Sequence, residues 1–263
     1  MPSGAQMPND VKTYLVLADI HWPKTNKQTL AAALDFLDEN KVDGLVFQGD
    51  QNDFEEISHH TKGRPLFRIP GAYRRNLKTF DEQVLRPIEA RLKKGCEKVW
   101  IIGNHERFEQ DLIEEQPELQ DLVDHIHILQ LVERGWEIIP LGHAKKLGKL
   151  TIVHGEVLSG IGNQGGAFPS KKAVEMYAGN VLAAHSHSPQ IFTKVSPVEH
   201  IQKWQGFISP VLANCNPSYL RNRASSWLNG VTIVELYDNG LFNVYLCTTV
   251  NGKFAYGGKL YSA

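Results

Sequence analysis

Short apolar runs punctuate the first two-thirds of the chain, and amphipathic stretches lie between them. TYLVLA (13–18), GLVFQ (44–48) and KVWII (98–102) are continuous enough to predict buried strands. Between the first two, Leu30, Leu34 and Leu37 recur at helical spacing. A polar insertion after GLVFQ ends in an expected helix over Leu77–Lys94, with a kink at Pro87. Acidic helical segments fill Phe108–Val123, and WEIIPL and KLTIVH add two strands. Ser170 is a candidate N-cap for a helix reaching Ala178, and NVLAA follows as another strand. The last third then changes: IFTKV, GFISPVL, VTIVEL, LFNVYL and KFAYGGKLY are strand-like runs with no helix between them. Asn239-Gly240 marks a hairpin. The pattern predicts βαβ units followed by antiparallel strands, in one domain over residues 11–263 behind a flexible segment 1–10.

Composition narrows this picture. The 263 residues are 42% hydrophobic, enough for a sizeable core. A net charge of -1 argues against general polyanion binding, so any nucleic-acid contact must be local. The cysteines, Cys96, Cys215 and Cys247, are scattered and odd in number, which predicts a reducing compartment and no disulfide framework. No apolar run is long enough for a spanning helix. A cytoplasmic protein is expected.

Metal-ligand residue types recur where the strands end. Asp19 and His21 close the first strand, and His185 and His187 follow NVLAA. Side chains two apart on a strand point the same way, so each pair could grip one ion. Asp50 follows a strand and a glycine, Asn104 and His105 follow KVWII, and His154 ends KLTIV. Carboxyl ends of strands are where open α/β sheets place their sites. Nitrogen and oxygen donors without thiolate suit manganese, iron, cobalt, nickel or zinc.

These residues resemble the calcineurin-like metallophosphoesterases, whose signature is D-x-H, G-D-x-x-D, G-N-H-D/E, a lone H, and G-H-x-H. The chain supplies Asp19/His21, Asp50/Asp53, Asn104/His105/Glu106, His154 and His185/His187, in that order. The resemblance implies a four-layer αββα sandwich: two mixed sheets flanked by helices, with a dinuclear metal site at the strands' carboxyl ends. It implies one divalent ion held by Asp19, His21, Asp50 and His187. A second would be held by Asp50, Asn104, His154 and His185. Manganese or iron is expected, and a water activated between the ions would attack phosphorus. His105 would serve the leaving oxygen, with Asp53 as its carboxylate partner. Asn104, being neutral, would keep the centre net positive. Ala184 stands where the family has glycine, which puts the second ion's geometry in question. DFEEIS (53–58) and NGKFAYGGKLY at the end look like phage and prophage members.

Other candidates carry weaker signals. His125-Ile126-His127 is also H-x-H but reads as a plain alternating strand, structural or exposed; His143 and His200 are read the same way. His59, His60 and Arg107 are candidate substrate contacts. Lys62, Arg64, Arg68, Arg74 and Arg75, with Phe67 and Tyr73, could hold a phosphodiester backbone. The glycine-rich stretch 160–169 suits a rim loop, and the segment 214–227 a structural corner.

The expected function is a metal-dependent phosphoesterase acting on a phosphate ester, leaning to phosphodiesterase or nuclease. The alternative is a phosphomonoesterase or protein phosphatase. Protein phosphatases of the family carry an arginine soon after the Asp50 motif, and here Phe54-Glu55 follow Asp53. Arg107 stands where a second such arginine would be. A non-catalytic scaffold, like the retromer subunit of this fold, is less favoured because the ligand set is complete.

Overall fold

The structure is a computed structural model describing residues 11–65, 69–158, 168–199, 201–215 and 226–263. From the amino end, β1 (Val11–Leu17), α1 (Lys27–Glu39), β2 (Gly44–Gln48), α2 (Ala72–Phe80), α3 (Arg86–Glu89) and β3 (Glu97–Ile101) follow in turn. Helices α4 (Arg107–Glu115), α5 (Gln120–Val123) and α6 (His125–Ile128) lead to β4 (Trp136–Ile139). Strands β5 (Lys145–Leu147) and β6 (Leu150–Ile152) precede α7 (Pro169–Tyr177) and β7 (Asn180–Ala183). The remainder is β8 (Gln190–Ser196), β9 (Ile201–Ile208), β10 (Gly230–Tyr237), β11 (Phe242–Thr248), β12 (Phe254–Tyr256) and β13 (Lys259–Tyr261).

Two mixed sheets result. The first runs β11-β10-β1-β2-β3-β4, with β1 to β4 parallel and β10 and β11 added antiparallel. The second runs β5-β6-β7-β9-β8, parallel at its centre and antiparallel at both edges. Strand alternation sorts the apolar side chains into layers. Leu15, Leu17, Leu45, Phe47 and Trp100 face α1, α2 and α3, where Phe36, Leu77 and Phe80 meet them. Tyr14, Val16, Val46, Val99 and Ile101 point the other way, into a core shared with Leu150, Ile152, Leu182 and Phe207 of the second sheet. Val181, Ala183 and Ile208 face outward onto Ala173 of α7. The expected four layers are therefore present, because central strands covered on both faces are apolar on both faces.

A polar clamp crosses the inter-sheet core. Gln48, at the end of β2, donates its amide to the carbonyls of Val153 (2.9 Å) and Leu182 (3.0 Å) in the second sheet. Its Oε1 accepts from Ser209 Oγ (2.6 Å), and Ser209 Oγ in turn accepts from Thr232 Oγ1 of the first sheet (3.2 Å). All these side chains are buried.

Several local expectations are corrected. The helix expected over Leu77–Lys94 starts at Ala72, because Tyr73 and Leu77 share its buried face. Before Pro87 it passes through a π-type turn, Asp81–Leu85. That wider turn accommodates a residue with no N–H and a ring that would meet the preceding turn. Ser170 is not a cap: Pro169 takes the first helical position, and Ser170 Oγ donates to Gln190 Oε1. His125-Ile126-His127 is a helical turn and not a strand, since Asp124 Oδ1 accepts from the N–H groups of Ile126 and His127. The carboxyl-terminal run forms a separate hairpin, β12-β13, on the outside of α1 through Phe36, Phe254 and Tyr261. At Asn239-Gly240 the expected hairpin is present, with Gly240 at φ 77°. Residues 1–10, Phe67, Arg68, His200 and most of the stretches 160–169 and 214–227 lie outside the described residues.

Replacing Gln48 by Leu keeps the volume but strips hydrogen bonds from two buried carbonyls and a buried hydroxyl. Urea unfolding of Gln48→Leu is expected to show a loss of about 3 kcal/mol.

Candidate metal centre

The loops after β1 and β2 stay zipped together beyond the strands. Asp19 N–H donates to Gly49 O, His21 N–H to Asp50 O and Trp22 N–H to Gln51 O. This extension carries Asp19, His21 and Asp50, and each has a left-handed backbone, with φ of 51°, 47° and 52°. His185 and His187 past β7 are left-handed too, at 63° and 59°. Strand alternation, the expected basis for the two i,i+2 pairs, therefore does not aim them. Both pairs leave their strands, and alternate left-handed residues turn their side chains to one side. Such backbone is uncommon outside glycine and concentrates at functional sites.

Two glycines allow the close approach. A Cβ on Gly49, which has φ 94°, would lie 2.2 Å from His154 Nδ1. One on Gly103 would lie 2.2 Å from Asp50 Oδ1. Ala184 does not obstruct the site: it is buried, its N–H donates to His154 O at 2.7 Å, and His185 still groups with Asp50 and His154.

Asp50 Oδ2 is the hub. It lies 3.3 Å from His154 Nε2, 3.8 Å from His21 Nε2 and 3.9 Å from His105 Nε2. Its other oxygen accepts the His105 backbone N–H at 2.9 Å. On one side, His187 Nε2 is 3.2 Å from Asp19 Oδ1 and 3.3 Å from His21 Nε2. On the other, His154 Nε2 is 3.0 Å from Asn104 Oδ1. Asp19, His21 and His187 form one group able to hold an ion, and Asp50, His154 and His185 another.

Ring tautomers fit ligation. His154 Nδ1 donates to Gln48 O at 2.9 Å, and His21 Nδ1 faces Asp53 Oδ1 at 3.1 Å, so both Nε2 atoms turn inward. Asp19 Oδ1 is buried and has no hydrogen-bond partner among the described residues despite the imidazole nitrogen beside it. A buried carboxylate oxygen left in that state suits a cation. Burial opposes charge on Asp50, yet the surrounding imidazoles of His154, His105 and His21 hold its pKa well below the usual carboxylate range. Burial, and then His154, lowers His185 to about 4, which keeps it a neutral donor.

His105 is held from behind. Its Nδ1 lies 2.8 Å from the main-chain oxygen of Asp53, and 3.3 Å from the Asp53 carboxylate. That carboxylate is shared with His21 and with Lys24 Nζ at 2.5 Å. Burial works against a charged His105, but Asp50 and Asp53 together raise its pKa.

The sequence reading missed the part played by Glu106. Fully buried, its carboxylate accepts from the N–H groups of Gly103 (2.9 Å), Asp50 (3.1 Å), Gln51 (2.8 Å) and Asn52 (3.3 Å). It thereby binds the Asp50 loop to the Asn104 loop. The signal was its place in the G-N-H-E motif. Lys24 and Trp227 were also missed; the Trp227 ring stands edge-on to His187 at 4.2 Å. A lone Lys and a single Trp carry no pattern of spacing to find them by. His59, His60 and Arg107 line one cleft together with Asn104 and His105. His125 sits apart from the centre, buried against Glu109 at 2.5 Å, and His143 is exposed.

Glu106→Gln keeps the shape but presents an NH2 group to backbone donors. Metal affinity measured by calorimetric titration is expected to fall by about 10- to 100-fold.

No helix among the described residues is long and apolar enough to cross a membrane. No curated protein matches the chain. Solved structures similar to it include Vps29 from Entamoeba histolytica complexed with Zn2+, at 14% identity, covering 95% of this chain and 98% of that one, TM-score 0.47. A metallophosphoesterase from Sphaerobacter thermophilus matches at 14% identity, covering 92% and 89%, TM-score 0.44. Vps29 from Cryptosporidium parvum matches at 10% identity, covering 96% and 99%, TM-score 0.48. These likenesses are too distant to carry function. The family model described as calcineurin-like phosphoesterase, however, matches residues 12–247, and it is to this family that the chain belongs.

Proposed function

We propose that this protein is a dinuclear metal-dependent phosphodiesterase. The observation that carries the reading is Asp50 Oδ2, placed between imidazole nitrogens of both ligand groups as a bridging carboxylate would be. Asp19, His21, Asp50 and His187 would hold one ion, and Asp50, Asn104, His154 and His185 the other. Manganese or iron is favoured for these nitrogen and oxygen donors. When bound, such ions lower the pKa of water and draw charge from phosphate oxygens.

The chain's own residues do the rest. His105 sits at the mouth with Nδ1 fixed by Asp53 and Nε2 turned toward Asp50. Asp50 and Asp53 favour its protonated ring, from which Nε2 would pass a proton to the departing oxygen of the ester. Asp53 holds His21 and His105 in one arrangement, and Lys24 balances its charge. Asn104 supplies an oxygen without adding negative charge. His59, His60 and Arg107 border the cleft by which substrate would enter.

A diester is favoured over a phosphoprotein because no arginine follows Asp53. Phe54 is buried against Tyr73 and His125, and Glu55 pairs with Lys24 at 2.6 Å. One observation favours the monoesterase alternative: Arg107 at the start of α4. The complete ligand set weighs against a scaffold. A phage-type origin rests on the DFEEIS and carboxyl-terminal resemblances, and a cytoplasmic location on the free cysteines.

Manganese-loaded protein is expected to hydrolyse bis-p-nitrophenyl phosphate faster than p-nitrophenyl phosphate; absence of both activities sinks the reading. Asp50→Asn should lose metal and turnover together. His105→Gln should keep the metal, assayed by elemental analysis, and lose about 10²- to 10⁴-fold in kcat. Full turnover in that variant removes His105 from the chemistry.

A further inference from the structure

The cleft beside the metal centre has a volume of about 590 Å³, within the roughly 300–1,000 Å³ span of small-ligand sites. Asn104 and His105 of the centre are part of its lining. The rings along it form a continuous series. His105 and Phe108 have centroids 5.3 Å apart, Phe108 lies 5.8 Å from His60 and 5.5 Å from His59, and His59 and His60 lie 3.8 Å from each other.

The imidazoles of His59 and His60 are exposed, yet the turn that carries them is fixed by buried groups. Ser58 Oγ accepts the His60 N–H at 3.2 Å, and Thr61 Oγ1 donates to the carbonyls of Ser58 and Glu55. Ser58 and Thr61 are buried, and so is Phe108 behind the pair. Exposed aromatic faces held in place by a buried frame are pre-organised for a flat ligand.

The charged groups fit the same ligand. Asp111 is engaged by Arg107 at 3.2 Å and lies 4.0 Å from His59. Lys24 engages both Glu55 and Asp53. Arg64 lines the cleft and is in no ion pair among the described residues. Burial, and then the neighbouring imidazoles His59 and His105, lower the pKa of His60, which favours its neutral ring.

We propose that His59 and His60 form a base-stacking platform, so that the substrate is a phosphodiester carrying a nucleobase beside the scissile phosphate, as in single-stranded nucleic acid. This rests on the diesterase reading for its chemistry, though the platform itself is a binding site. Stacking is indifferent to base identity, because every base has a π-face, so little sequence preference is expected. Arg64 and Arg107 line the cleft, where the flanking phosphates would lie.

The test has a binding arm and a kinetic arm. Fluorescence anisotropy follows a fluorescein-labelled, phosphorothioate-linked oligothymidylate, which resists hydrolysis, on the manganese-loaded protein. The double variant His59→Ala/His60→Ala is expected to weaken Kd at least about fivefold, the order of one base stack, and His59→Phe/His60→Phe to restore it. Equal binding by wild type and the alanine variant, no binding by wild type, or no rescue by phenylalanine overturns the platform. In the kinetic arm, p-nitrophenyl thymidine 5′-phosphate is compared with methyl p-nitrophenyl phosphate, which shares its leaving group. The ratio of their kcat/KM values should fall at least about fivefold in the alanine variant. Histidine-dependent oligonucleotide binding without hydrolysis of either ester upholds the platform and removes the diesterase. Hydrolysis of both esters with an unchanged ratio and unchanged binding does the reverse.

Discussion

The two sheets must be held at one relative height, and that constraint governs the molecule. Asp19, Asp50 and Asn104 leave the first sheet, while His154, His185 and His187 leave the second. Their donor atoms meet within a few ångströms, so a small slip between sheets would separate them. Apolar packing between the sheets is strong but does not fix a position by itself, because hydrophobic contact is not directional. The Gln48–Ser209–Thr232 clamp is directional, and it lies directly beneath the centre. The same residue's carbonyl orients His154, so inter-sheet alignment and ligand orientation share one anchor.

The second constraint is conformational. Left-handed backbone at a non-glycine residue is a local cost of order 1–3 kcal/mol. The centre carries it at Asp19, His21, Asp50, His185 and His187 together. The surroundings over-determine these positions. Glu106 gathers the amides of the Asp50 loop, His185 N–H donates to Asp19 Oδ2 at 3.1 Å, and Ala213 N–H donates to Asp19 O at 2.9 Å. The outcome is a buried cluster of carboxylates and imidazoles.

Legibility in the sequence followed the physical origin of each feature. The central strands were readable because burial on both faces forces an unbroken apolar run, as in GLVFQ and KVWII. The helical turn at His125 was not, because its structure comes from one Asp124 cap and a partner, Glu109, 16 positions away. Alternation in His-Ile-His mimicked a strand, and a stretch this short cannot settle its own period. Ser170 failed as a cap for a similar reason: Pro169 ahead of it suits the first helical position better.

The sequence alone determined which metal-ligand residue types recur along the chain and in what order. Metal donors come from a few residue types, and glycine is needed only where backbone must approach closely, so both leave a mark in the sequence. It also determined the layered architecture, since apolar periodicity is a local record of burial. Only the tertiary structure decided how the ligands face one another. Left-handed turns past the strand ends, not strand alternation, aim Asp19 with His21 and His185 with His187. The tertiary structure likewise brought Glu106 under the Asp50 loop, set Trp227 against His187, and lined His59, His60 and Phe108 along one cleft with His105. These are relations between segments far apart in the chain. They depend on where the packed sheets place the loop ends, and no local pattern of residues records that.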